Sequence, residues 1–264
     1  MEIHEIVSKI LLELESKIAP RVALLEINQW AKDLMDKYGV ESVNYQYKPA
    51  WAKIPFPGYL CTSVNDTIAH GVPSSYRLVE GDIINLDLGI KRGKECADAG
   101  FTIPVGKISN KDFNLLKYTV RILYAGIIAI KDGAHVSEIG KLMNRASDQY
   151  GFNVNVQMTG HAIGKEMHMK PYIPHFYAED DQYKKIFDGV LKEGMIVCLE
   201  PMVTYGNDRA GYFSEDTWSF LTKDHKNSAM FEHMVRVEKD GFKILTTHFD
   251  YKQFERGGKY ENLL

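Results

Sequence analysis

The sequence predicts an α+β domain built on antiparallel strands. Three observations carry that expectation. Helical and strand-like patterns alternate irregularly along the 264 residues. Two pairs of strand-like runs are joined by tight turns: 82–90 with 95–105 about Arg92-Gly93, and 231–238 with 243–246 about Asp240-Gly241. No glycine-rich phosphate loop appears, so a doubly wound nucleotide fold is not expected.

The elements follow in order. Ile3, Ile6, Val7, Ile10, Leu11, Leu14 and Ile18 recur at the spacing of one helix face, and Pro20 closes the segment. A second helix is predicted over 24–38, stopped by Gly39. Residues 45–58 are aromatic and proline-rich and read as a loop. After the first hairpin, 112–130 carries a long helical pattern broken by Asp132-Gly133. Ser137 is expected to cap a further helix ending near Tyr150-Gly151. Strands are predicted at 153–159 and 195–203, before the second hairpin. No low-complexity linker or repeat divides the chain, so one domain is expected over 1–248. Residues 249–264 are polar and glycine-containing and read as a loosely attached tail.

Composition removes several function classes. A net charge of -3 gives no electrostatic case for nucleic acid, and no basic run is dense enough for an anionic membrane. The first residues, Met-Glu-Ile-His-Glu-Ile, place acids where a signal peptide needs bases. The strongest apolar run, 123–130, is too short to span a bilayer. Cys61, Cys96 and Cys198 form no Cys-x-x-Cys and are odd in number. A reducing cytoplasm is the expected location.

Five residues are out of place in their surroundings. Asp87, Asp98, His161, Glu200 and Glu232 each sit in an apolar or glycine-marked stretch. Burying a carboxylate is costly unless a cation or donors compensate. Asp87 and Asp98 lie on adjacent predicted strands and are expected across from each other, where a cation between them relieves their repulsion. Gly160-His161-Ala162-Ile163-Gly164, with His168 beyond, reads as one loop supplying a ligand and a neighbour. Taken singly, each is as compatible with a solvated or structural role. Together they form an oxygen-rich set with one nitrogen. That is too many hard ligands for one small cation, and suits two metals sharing carboxylates and a water. The donors favour Mn, Fe or Co over a thiolate-bound structural zinc, although zinc is compatible.

The order and spacing of these stretches resemble the type I methionine aminopeptidases of the pita-bread metallopeptidase family. The resemblance rests on Ser63-Val-Asn-Asp-Thr-Ile-Ala-His-Gly-Val-Pro73, Gly81-Asp-Ile-Ile-Asn-Leu-Asp87, Ala97-Asp98 and Gly160-His161-x-Ile-Gly164 with His168. It also rests on Gly194-Met-x-x-x-x-Glu200-Pro-Met202 and Phe231-Glu232-His233. It implies a curved antiparallel sheet flanked by helices. It further implies that Asp87 chelates one metal, that Asp98 and Glu232 bridge both, and that His161 and Glu200 bind the other. Glu200 would also be the general base. His70 and His168 would contact substrate and the tetrahedral intermediate. Phe56, Cys61 and Trp218 fall where the family builds its methionine pocket, and Asn65 and Ser228 near a monovalent cation. The implied partners are N-terminal methionine peptides and nascent chains, with the ribosome by analogy.

The departures fall on the pocket wall. Lys53 and Ile54 stand where an aromatic and a histidine are usual, and Met167 where Phe is common. Ala162 replaces a usual Gly, and Ala99-Gly100 a hydroxyl pair. Two alternatives carry the same fold. One is a diverged, proline-directed aminopeptidase, in which a Glu follows the second His; here Met169 follows His168. Those relatives also carry an extra N-terminal domain, for which no room is expected. The other is a non-catalytic peptide-binding module, which loses ligands that are all present here.

Overall fold

The computed structural model describes residues 1–255 and 258–260. The chain opens with α1 (Ile3–Glu15) and α2 (Leu24–Tyr38). In α1 the stripe Ile3, Ile6, Val7, Ile10, Leu11 and Leu14 is buried. The helix stops before Ile18 and Pro20 because Ser16 turns back, its Oγ donating to Glu13 O at 2.8 Å. Gly39, in the left-handed region at φ 64°, ends α2 as expected.

Short β1 (Glu41–Ser42), β2 (Cys61–Val64) and β3 (Thr67–Ala69) precede the long hairpin β4 (Ile83–Arg92) and β5 (Glu95–Pro104). Helix α3 (Asn110–Ile127) starts earlier than predicted because the Ser109 Oγ accepts from Asp112 N. Helix α4 (Val136–Tyr150) is capped by His135, not by Ser137. An isolated bridge from His135 to Val190 holds that residue extended, so the helix begins before Ser137.

The remaining strands are β6 (Asn153–Val154), β7 (Thr159–Ile163), β8 (Met169–Pro174), β9 (Ile196–Leu199), β10 (Met202–Thr204), β11 (Gly211–Phe213), β12 (Phe220–Thr222), β13 (Ser228–Met230), β14 (His233–Glu238) and β15 (Gly241–Ile244), with α5 (Asp181–Ile186) after β8. Every ladder among them is antiparallel. Two predicted strands are each broken in two, and the one predicted from 231 begins at His233, behind a separate β13. Asn155 Oδ1 accepts from Gln157 N and Met158 N, a turn that separates β6 from β7. Glu200-Pro201 separates β9 from β10, and Phe231-Glu232 separates β13 from β14. Each break passes the chain between ladders: β15-β14-β9-β7-β8 on one side, β13-β10-β6 on the other.

One apolar core runs from Ile3 to Tyr260 and draws on α1, the β4–β5 hairpin, α3 and α4. The tail is therefore not loose where it is described. Phe249, Phe254 and Tyr260 are buried, and Glu255 pairs with Lys117 at 3.3 Å and with Arg121 at 2.5 Å. Its composition hid three aromatics spaced to reach the core. Residues 256, 257 and 261–264 of that expected tail lie outside the described residues.

Candidate active site

The β4–β5 register decides where the first two carboxylates go. Asp87 pairs with Gly100, and Asp98 with Gly89. The two aspartates are thus diagonal neighbours rather than directly opposed, yet they share one face of the hairpin. Each faces a glycine, and neither glycine has room for a side chain. A Cβ on Gly89 would stand 2.3 Å from Val43 Cγ2, and one on Gly100 2.8 Å from Met230 Cε.

His161 lies on β7 itself, not in a loop, and its strand neighbour on β9 is Cys198. Its Nε2 is 3.6 Å from Asp98 Oδ2 and 3.5 Å from Glu200 Oε1. Glu200 follows β9 at the break before Pro201, which frees it from strand alternation. Glu232 occupies the break before β14, its N–H donating to Gly100 O at 2.8 Å. Donor atoms of Asp98, His161, Cys198 and Glu232 all lie within 4.8 Å of one another. Asp87, Asp98, His161 and Glu200 line a cavity of about 830 Å³.

The electrostatics of these residues call for a cation. Burial, then the Asp98 charge, pushes the Asp87 carboxyl well above the usual range. Glu200 and Glu232 are raised in the same way, by burial first and Asp98 second. Among the described residues, buried Asp98 Oδ1, His161 Nε2 and Glu232 Oε1 have no hydrogen-bond partner. Such orphaned acceptors are rare in folded proteins, and three on residues whose donor atoms lie within 4.8 Å of one another fit a divalent metal.

The cavity brings in the predicted substrate residues as well. His70, His168, Phe56, Cys61 and Trp218 all line it. The His161 and His168 rings are 4.5 Å apart between centroids. Burial lowers the His70 pKa to about 4, with His168 adding to the shift. Burial likewise lowers His168, with His161 as the second cause. Both imidazoles are therefore neutral at pH 7. Phe56, Cys61, Trp218 and Ala52 form a separate apolar cluster at one end. Trp218 is fixed there by its Nε1, which donates to Ile54 O at 2.9 Å.

Lys53 and Met167 line the cavity, but Ile54 does not. Its side chain is exposed, and only its carbonyl contributes. Several lining residues escaped the sequence reading. Trp51 packs on Trp218 at 4.9 Å and on Phe213 at 5.3 Å, adding an aromatic wall. The 45–58 loop was legible as aromatic, but nothing local said that it folds over the site. Cys198 stands two residues before Glu200, a spacing that gave the only available signal of its shared face.

Comparison with known proteins agrees with this arrangement. The model of metallopeptidase family M24 matches residues 1–239. The chain belongs to metallopeptidase family M24. Methionine aminopeptidase B of Synechocystis is 34% identical over 245 residues, covering 92% of this chain and 86% of that protein. The crystal structure of methionine aminopeptidase from Rickettsia prowazekii superposes with a TM-score of 0.84 at 28% identity, covering 92% of this chain and 94% of that one. Prolidase from Pyrococcus furiosus, at 20% identity and a TM-score of 0.71, shares the fold; 93% of this chain covers 61% of it. The M24 chain thus has the pita-bread fold, and the family with its buried donor group supports divalent metal use.

Proposed function

We propose that this M24 chain is a methionyl aminopeptidase, removing the N-terminal methionine from peptides and nascent chains. The observation that carries the reading is the meeting of two features in one cavity. The unpartnered donors Asp98 Oδ1 and His161 Nε2 open beside an apolar, sulfur-containing end formed by Phe56, Cys61 and Trp218. A thioether is well matched to such a wall.

In this reading Asp87, Asp98 and Glu232 would hold one divalent ion, and His161 and Glu200, with Asp98 and Glu232, a second. Bound there, the ions supply Lewis-acid polarisation of the scissile carbonyl and a more acidic water. Glu200 takes the proton of the attacking water on its carboxylate and delivers it to the departing amine. Its place on the cavity wall beside His161 supports that role. His70 and His168, neutral by burial, donate N–H groups to the oxygen that gains charge. Trp218, Phe56 and Cys61 seat the methionine side chain and exclude water from it.

Mn, Fe or Co is the preferred metal, with zinc compatible. A monovalent cation beside Asn65 and Ser228 completes the reading; a 2.8 Å bond from Ser228 N to Asn65 O brings those residues together. A cytoplasmic setting and ribosome association belong to the same proposal. Among the described residues no helix is long and apolar enough to cross a membrane.

Chelation tests the metal requirement. Metal-free protein should lose cleavage of a Met-Ala-Ser peptide, and Mn, Fe or Co should restore it. Full activity in protein shown to be metal-free would end the proposal.

A further inference from the structure

The β7–β9 ladder pairs Ile163 with Ile196, Ala162 with Val197 and His161 with Cys198, and then stops. Just beyond the last pair, the backbone N–H groups of Gly160 and Glu200 turn to one atom. Gly160 N donates to His175 Nε2 at 3.1 Å, and Glu200 N donates to the same nitrogen at 3.2 Å. His175 follows β8 directly and is 1% exposed. A ring nitrogen that accepts carries no proton, so the proton is on Nδ1 and the imidazole is neutral. Burial, with His161 as the second cause, holds its pKa down to about 3.

The fit around this nitrogen is close. A Cβ on residue 160 would come within 2.2 Å of Cys198 O and 3.0 Å of His175 Nε2. Only glycine lets the three strands meet there. Gly160 immediately precedes His161, and Glu200 is itself a donor to the site. One imidazole therefore ties the residue before His161 on β7 to Glu200 just past the end of β9. It reaches neither the cavity nor the donor group.

We propose that His175 is a positioning residue for the hydrolytic site. Its Nε2 takes the place of a strand carbonyl for both Gly160 and Glu200, fixing the Glu200 carboxylate relative to the His161 ring. This rests on the aminopeptidase reading for what the two side chains do, and on geometry alone for how they are held.

Two variants of similar length separate acceptor from bulk. His175→Gln keeps an acceptor oxygen near the Nε2 position, whereas His175→Met does not. His175→Met should lower kcat on Met-Ala-Ser by about 10- to 100-fold and weaken Mn binding, read by calorimetry, by about 10-fold. KM should shift by less than about threefold, because the change acts through Glu200 and not through the methionine pocket. His175→Gln should recover both quantities to within about fivefold of wild type. Wild-type kcat and Mn affinity in His175→Met would overturn the proposal. So would equal impairment of two folded variants. If neither variant folds, nitrogen NMR of the metal-free wild type decides. An unprotonated Nε2 with a protonated Nδ1 is required, and a protonated Nε2 contradicts it. Mn affinity and tautomer do not depend on substrate, so failure of the aminopeptidase reading would leave this test standing.

Discussion

In the proposed mechanism Glu200 carries the proton transfer. Glu200→Gln keeps an oxygen for a metal but removes the group that moves the proton. It should lower kcat by about 10²- to 10⁴-fold with little change in KM. Steady-state kinetics on a Met-Ala peptide check this, and an effect confined to KM would contradict the assignment. Asp87, Asp98, His161, Glu200 and Glu232 were legible in the sequence because a charge or imidazole in an apolar run needs a physical reason. His175 and Cys198 were not. His175 stands out in no local pattern, since both of its partners, Gly160 and Glu200, are supplied by other strands. Cys198 looks like any small buried residue until β7 places it opposite His161. Ile54 misled for the opposite reason, because its alignment with a pocket residue says nothing about which way its side chain turns.

At the level of elements, two of the five donors sit where strands are interrupted, and Asp87, Asp98 and His161 lie within β4, β5 and β7. Glu200 and Glu232 occupy two of the three breaks, which release them from the alternation a continuous strand would impose. The predicted strand 195–203 runs straight through the first, and the predicted strand 231–238 begins inside the second. Helix α2 and the β4–β5 hairpin were legible, since Gly39 and Gly93 punctuate them at φ 64° and φ 63°. The α4 start was not, because its cap is set by the distant bridge to Val190. Gly160 gives the sharpest test at this scale. Gly160→Ala pushes a methyl onto the Cys198 carbonyl, and backbone cannot swing aside as a side chain can. It should cost at least about 1–3 kcal/mol of stability, read as a lower denaturation midpoint. Unchanged stability would show that β7 and β9 are further apart than described.

Across the whole molecule, buried histidines make stability depend on pH. His248 is fully buried, its Nε2 3.2 Å from Gly100 O, and burial lowers its pKa to about 3. The unfolded chain, with an ordinary value near 6.5, binds a proton that the folded chain refuses. The stability linked to His248 is therefore complete above pH 6.5 and is lost as pH falls towards 3. Between pH 6.5 and 5, His248→Gln should lose about 2 kcal/mol less than wild type. Parallel denaturation curves at the two pH values check this, and identical losses would contradict it. The aromatic residues behind His248 look loose from their polar neighbours in sequence. They pack because Phe249 and Phe254 reach Phe231, the residue beside Glu232. The central claim, a two-metal centre built beside a methionine pocket, is tested most directly by one measurement. Mn-loaded protein is incubated with a library of Xaa-Ala peptides, and the released residue is identified. The account predicts free methionine, with other residues released far more slowly. Cleavage confined to proline-containing peptides, or no cleavage by protein that holds its metal, would contradict it.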